Sequence, residues 1–266
     1  MRLSQFPTFI FRNKAVGINM EVHHHSHTVR RSWTHYLWEF FMLFLAVFCG
    51  FLAEWKLERT LEHHREKQFI RSLSEDLARD TAHLRYYMRF NKIMLDYCDS
   101  VQYCIRNTDI FRNSNKFYDY TKELARFIRY SPTDRTIQQL KHAGNMRLLR
   151  WEISNAVTDH DSKSKSLAEM DAQLNEQIIK YREFLIGFLD LSSYDQHNII
   201  GSYMGYDIKT TGNPGYISKD IKMVKMIYNQ AFTLKIFIEA TEFTANDLLT
   251  NTKHLLDLLE KEYHLN

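Results

Sequence analysis

Residues 33–57 read WTHYLWEFFMLFLAVFCGFLAEWKL, and between Phe40 and Ala53 no side chain carries a charge or an amide. Aromatic rings flank this centre, with Trp33, Tyr36 and Trp38 before it and Trp55 after it. Amphipathic rings favour the headgroup level, so the stretch reads as a single membrane-spanning helix with an aromatic belt at each end. Its uncharged centre covers about 21 Å as a helix. The hydrocarbon core is about 30 Å thick, which puts Glu39 and Glu54 near the edges of the core. The competing reading is the buried core helix of a soluble domain. Glu39 and Glu54 lie about 60° apart around the helix axis, on one side of it. They form an intramembrane polar pair that either faces a partner helix or reaches the headgroups.

A hydrophobic run followed by cysteine also suggests a cleaved signal. The bulky Phe48 before Cys49 is wrong for a small-residue cleavage site, so the helix is expected to stay attached. Lys and Arg balance across it: Arg2, Arg12, Lys14, Arg30 and Arg31 precede it, and Lys56, Arg59, Arg65, Lys67 and Arg71 follow. The flanking-charge rule therefore leaves the orientation open.

The 266 residues hold 35 basic and 32 acidic side chains, mixed along the chain, so no basic stripe points to nucleic acid. Only 8 Gly and 3 Pro occur, which suits long helices with few turns and excludes an all-β fold. The three cysteines make no disulfide framework. Cys98 and Cys104 are separated by about 9 Å of helical rise, beyond disulfide reach, and read as packing residues.

Residues 1–32 read as an N-terminal arm, with Met20 a second candidate start. The tract His23, His24, His25 and His27 has a metal-binding composition, but nothing in such an arm holds the rings in one geometry, and it reads as a polar tail. Past the anchor, Glu54, Glu58, Glu62 and Glu66 recur every four residues beside Arg59, Arg65 and Lys67, a solvated helical stalk. A heptad seam then runs through Leu73, Leu77, Asp80, Leu84, Tyr87, Asn91, Met94, Cys98, Val101 and Ile105, with Asp80 and Asn91 as polar exceptions that set register. The helix is expected to end near the polar run 107–115. A short helix is expected over Phe117–Tyr130. A second is expected to be capped by Ser131, to begin at Pro132 and to exit at Gly144.

Two more seams follow. One passes through Ile153, Val157, His160, Ser164, Leu167, Asp171, Leu174, Ile178, Tyr181, Leu185 and Phe188. The other passes through Ile221, Val224, Tyr228, Ala231, Leu234, Ile238, Thr241, Ala245, Leu248, Thr252, Leu255, Leu259 and Tyr263. Between them, residues 192–219 hold four of the eight glycines, interleaved with Tyr194, Tyr203, Tyr206 and Tyr216. Tyrosine gives large contact area at small entropy cost, so these four are the candidate partner-binding residues. The expected fold is all-α: a transmembrane helix over 33–57 continuing into an elongated antiparallel helical bundle over 58–266. Three long helices running out, back and out would put the C-terminus far from the membrane and the tyrosine-rich loop near it.

The segments MEVHHH at Met20, MLFLAVFCGFLAE in the anchor, EHHREKQFIRSLSEDLARDT from Glu62 and TIQQLKHAGNMRLL from Thr136 resemble a family of uncharacterised single-pass, membrane-anchored helical proteins of Bacteroidota. The likeness covers the first 150 residues or so. It implies an inner-membrane protein of a Gram-negative envelope with its helical domain in the periplasm, and it favours a start at Met20. It implies no activity, ligand or catalytic residue.

No phosphate loop, CxxC pair, HExxH helix or GxSxG elbow occurs. A di-metal carboxylate bundle needs Glu-x-x-His on facing helices, and Asp80-x-x-His83 is a single copy with the wrong acid, read as a surface pair. His63 and His64 read as stalk residues. The expectation is therefore no enzyme, no cofactor and no metal. The chain reads as an envelope scaffold or adaptor whose partners are membrane lipid and another envelope protein or a second copy. The alternative is a ligand-sensing bundle, disfavoured by the lack of a second span or an output domain.

Overall fold

The computed structural model describes residues 33–193 and 213–264. The fold is all-α, with five α-helices among the described residues: α1 (Trp33–Asn107), α2 (Asn115–Leu124), α3 (Arg135–His142), α4 (Trp151–Ile186) and α5 (Ile221–Tyr263). Two 3-10 turns, Asn145–Leu148 and Leu191–Ser193, join the set. The chain divides into two compact units, residues 1–56 and 57–266.

In the first unit, α1 carries an 18-residue window of mean hydropathy 2.0 with none of it buried, and by length and composition it is long enough to cross a membrane. Phe40, Phe44 and Phe48 stack at four-residue spacing with centroids 6.4 and 5.9 Å apart. These apolar rings are exposed throughout, so the segment is not buried in a core of this chain. Glu39 and Glu54 are exposed as well.

The second unit is a four-legged bundle. Tyr87 on α1 meets Asp171 on α4, and seven residues earlier on each helix Asp80 and Ser164 share the Tyr130 hydroxyl. The order is the same on both helices, so α1 and α4 run parallel. Helix α5 runs against both. Tyr263 bonds Glu66, Lys235 bonds Asp99 and Arg106 bonds Tyr228 across α1 and α5, while His160 bonds Thr252, Lys163 bonds Asp247 and Thr244 bonds Met170 across α4 and α5. The leg that returns between α1 and α4 is built from α2, a strap over 125–134 and α3.

This corrects the expected chain direction. Helix α4 does not return; residues 108–150 do. The C-terminal end of α5 therefore lies beside Glu66, at the Leu57 end of the bundle, and the loop after α4 leaves from the Asn107 end. Length explains why the return leg is broken. Tyr120 packs against Tyr97 and Thr136 bonds Asp76, so sixteen residues of the leg must match twenty-one of α1. As a helix those sixteen would rise about 24 Å against the roughly 32 Å required. An extended stretch makes up the difference at about 3.3 Å per residue.

The seams bury as their periodicity predicts, with edge corrections. Every residue of the second seam, Ile153 through Phe188, is buried. On α1 the seam holds to Val101, after which Cys104 is buried in place of Ile105; on α5 Ile227 is buried in place of Tyr228, and Ile221 is exposed. A straight α-helix drifts from a strict seven-residue repeat, so the buried face shifts by one position at the ends. Both Cys98 and Cys104 are free, buried thiols, as packing residues should be. Burial pushes the Cys98 thiol up to about 12, which keeps it unreactive.

Three apolar clusters result. One around Ile70, Leu73, Ile137, Ile153 and Leu259 lies at the Leu57 end. One around Leu84, Leu167 and Leu248 lies in the middle. The largest, around Cys98, Phe117, Tyr181, Phe188 and Leu234, lies at the Asn107 end. Each fully buried Leu, Ile or Phe stabilises the unit by about 1.5–3 kcal/mol relative to exposure.

Candidate functional site

Between the apolar clusters, carboxylates of α1 and α4 reach inward and hold the return leg by its main chain. Asp80, expected to form a surface pair with His83, is instead buried. Its Oδ1 accepts the Thr133 amide at 3.2 Å and its Oδ2 the Tyr130 hydroxyl at 3.1 Å. Asp171 accepts the Tyr87 hydroxyl at 2.8 Å and the Tyr130 amide at 3.3 Å. Asp76 accepts the Thr136 amide at 3.1 Å and hydroxyl at 2.6 Å, with Arg135 at 3.1 Å on its other oxygen.

These bonds explain the missed helix start. Ser131 does not cap and Pro132 does not begin a helix, because the Thr133 amide is held by Asp80. Helix α3 begins at Arg135, where Asp76 takes the Thr136 amide. Its predicted exit at Gly144 is present, in the left-handed conformation at φ 65° that favours glycine.

Burial sets the electrostatics. It pushes the Asp171 carboxyl up to about 6, although Tyr87 and Tyr130 hydrogen bonds favour the charged form. It raises Asp80 in the same way against bonds from Thr133 and Tyr130. It also raises the Tyr87 and Tyr130 hydroxyls, each beside one of these carboxylates. One layer on, His160 donates or accepts at Thr252 Oγ1 across 3.1 Å, and burial lowers it to about 4. Its Nδ1 has no partner among the described residues. Asp161 beside it is buried too, yet Lys141 at 2.5 Å and Lys165 at 2.7 Å outweigh that burial and lower its carboxyl.

On the solvent side, the strap leaves a cleft against α1 of about 500 Å³, with walls that include His83, Tyr86, Ile128, Arg129, Pro132 and Arg135. It exists because an extended chain is about half as wide as the helix it interrupts. Among the described residues no group of three or more His, Cys, Asp or Glu is arranged to hold a metal ion. His63 stands exposed and bonds Glu66 at 3.1 Å, in keeping with a stalk.

Of the four candidate tyrosines, Tyr194, Tyr203 and Tyr206 lie outside the described residues, as do His23, His24, His25 and His27. Tyr216 is a packing residue. Its ring sits 5.0 Å from Phe188, 5.2 Å from Phe111 and 5.4 Å from Tyr118 between centroids, and its hydroxyl donates to the Ile110 carbonyl at 2.8 Å. Neighbouring bonds fix both feet of the 194–212 segment to the Asn107 end. Tyr118 accepts the Asp190 amide at 2.7 Å, and Ser114 donates its amide to Asn213 Oδ1 at 3.0 Å.

Sequence reasoning missed Asp76 and Thr136 altogether. A usable signal existed in the aspartates on the seams, because a carboxylate facing a core is costly unless donors arrive from elsewhere. Compared with protein-family models, curated proteins and solved structures, the chain gives no match.

Proposed function

We propose that the protein is a single-pass, membrane-anchored scaffold or adaptor whose helical bundle binds another protein. The reading rests on one observation: an apolar segment with none of its 18-residue window buried is joined to a separate bundle unit. An exposed apolar face of that size needs lipid or protein around it. The resemblance to Bacteroidota envelope proteins supports the inner membrane as the location and the periplasm as the side on which the bundle lies. Its partners are membrane lipid and another envelope protein or a second copy.

An adaptor reading is also supported by the bundle interior, where Asp76, Asp80, Asp171, Tyr87 and Tyr130 bond to one another and to the return leg. A ligand-sensing bundle would use such groups on a ligand. Crosslinking in intact membranes followed by purification of the full chain tests the proposal. Recovery of a defined set of envelope proteins, reproduced with a second crosslinker, supports it; recovery of the chain alone would contradict it.

A further inference from the structure

Helices α4 and α5 turn different faces to solvent. The outer face of α4 carries Ser162, Lys165, Glu169, Gln173, Glu176 and Lys180, all exposed and all polar, as a solvated face should be. On α5 the residues Ile221, Phe232, Ile236 and Phe243 are exposed instead, Phe232 and Ile236 each by 51 % and Phe243 by 77 %. At about 100° per residue the four lie within about 60° of one another, in one line over about 33 Å of helix. The buried seam through Ala231, Leu234, Ile238, Thr241 and Ala245 occupies the other side of the axis. Apolar residues scattered singly on a surface are ordinary, but four in line on one helix mark an interaction face.

Two charges stand in the same line. Lys225 and Glu239 are exposed, and neither has an ion-pair partner among the described residues. Lys235, one turn before Glu239, is taken by Asp99 at 2.6 Å. Lys225 and Glu239 are two heptads apart, so a helix laid along the line meets a cation near one end and an anion near the other. A lipid surface favours cations beside an apolar line, with no carboxylate inside it. An aligned second copy of α5 would set Lys225 on Lys225 and Glu239 on Glu239, so chains held the same way up in one membrane do not close this face on each other.

We propose that the outer face of α5 is a docking site for an amphipathic helix of a partner protein, one whose apolar stripe carries an acidic residue two heptads from a basic one. This rests on the adaptor reading and names the chemistry of its partner. Phe232, Ile236 and Phe243 supply the contact area as anchors at helical spacing. Lys225 and Glu239 supply the choice, because a helix with like charges at both ends leaves one of them facing its own sign.

The test uses the full chain in phosphatidylcholine nanodiscs, with empty nanodiscs in parallel, and three fluorescein-labelled amphipathic helices. These share one leucine stripe and differ only at two stripe positions two heptads apart, which hold Glu and Lys, Glu and Glu, or Lys and Lys. By fluorescence polarisation the Glu and Lys helix is expected to bind about tenfold more tightly than either like-charged one, in whichever direction it lies. Lys225→Glu makes both ends of the line acidic and shifts the preference to the Lys and Lys helix. Phe232→Ser with Phe243→Ser weakens all three at least about tenfold with an unchanged denaturation midpoint, since both rings are exposed. Equal binding of the three helices, binding no stronger than to empty nanodiscs, or indifference to loss of both phenylalanines would overturn the proposal. A chain dimer that the phenylalanine variant abolishes would overturn it in favour of a second copy. Quenching by brominated lipid of a fluorophore on Phe243→Cys, in a chain carrying Cys49→Ser, would overturn it in favour of the membrane surface. The crosslinking experiment separates the two readings. If the phenylalanine variant keeps its crosslinked partners, the α5 proposal falls and the adaptor reading stands; if the wild-type chain is recovered alone yet binds the matched helix, the adaptor reading falls and the docking face stands.

Discussion

Asp80 accepts the main-chain amide of Thr133 at 3.2 Å, a bond spanning 53 positions of sequence that keeps the return leg from coiling at Pro132. Replacing the acid by alanine strands the part-buried Thr133 amide and leaves the buried Tyr130 hydroxyl with Ser164 alone. Asp80→Ala is expected to lower unfolding free energy by about 1–3 kcal/mol. Asp80→Asn keeps one acceptor oxygen and costs less than half as much. Urea denaturation of the detergent-solubilised chain reads both; equal losses for the two variants would mean that the carboxylate does not hold the leg.

Two buried groups titrate in opposite senses over one pH window. Asp171 is raised from 3.8 to about 6, so the folded state holds its proton more tightly. That contribution is complete below pH 3.8 and is lost as pH rises to 6. His160 is lowered from 6.5 to about 4, so its contribution is complete above pH 6.5 and is lost as pH falls to 4. The raised Asp80 carboxyl adds to the Asp171 sense, so the test lies in each variant's profile relative to the wild-type protein. Asp171→Asn is expected to lose stability relative to wild type on acidification. His160→Gln is expected to gain stability relative to wild type on acidification. Melting curves across pH 4–7 check this, and parallel profiles for the two variants would refute it.

Tyr216 and Phe243 are both aromatic, but their surroundings differ. Tyr216 packs among four rings, whereas Phe243 is 77 % exposed on α5. Tyr216→Ser should cost about 2–4 kcal/mol through the cavity and the lost hydroxyl bond. Phe243→Ser should change stability by less than about 0.5 kcal/mol. The reverse order in a denaturant titration would place the wrong face of α5 in the core.

How far these features were legible depends on their range. The seams could be read because burial on a helix repeats with the helix, and Ile153 through Phe188 needed only that rule. The long apolar helix could be read because Phe40–Ala53 has no charged or amide side chain. Chain direction could not, because it hangs on residues 108–150 forming a full leg. That follows from Tyr120 lying opposite Tyr97 and Thr136 opposite Asp76, contacts between residues far apart in sequence. Ser131 and Pro132 carried a sound local helix signal that two distant aspartates overrode. Tyr216 shows the limit on the candidate site. A tyrosine beside glycine suits recognition and packing alike, and only its contacts decide.

The parallel course of α1 and α4 has a direct consequence for crosslinking. Tyr263 bonds Glu66, so cysteines introduced by Glu66→Cys and Tyr263→Cys should be joined by a short bismaleimide within one chain. Asp99→Cys with Tyr263→Cys should not, because Asp99 pairs with Lys235 further up α5. Joining of the second pair and not the first would restore the alternating course that the sequence suggested.

The central claim is that one span anchors the chain and that everything after Leu57 lies on the periplasmic side. Two reporters fused in turn after Asn266 test it most directly, one active only in the periplasm and one only in the cytoplasm, each in membranes washed with alkaline carbonate. The account predicts carbonate-resistant protein with the periplasmic reporter active and the cytoplasmic one silent. An active cytoplasmic reporter, or release of the protein by carbonate, would contradict it.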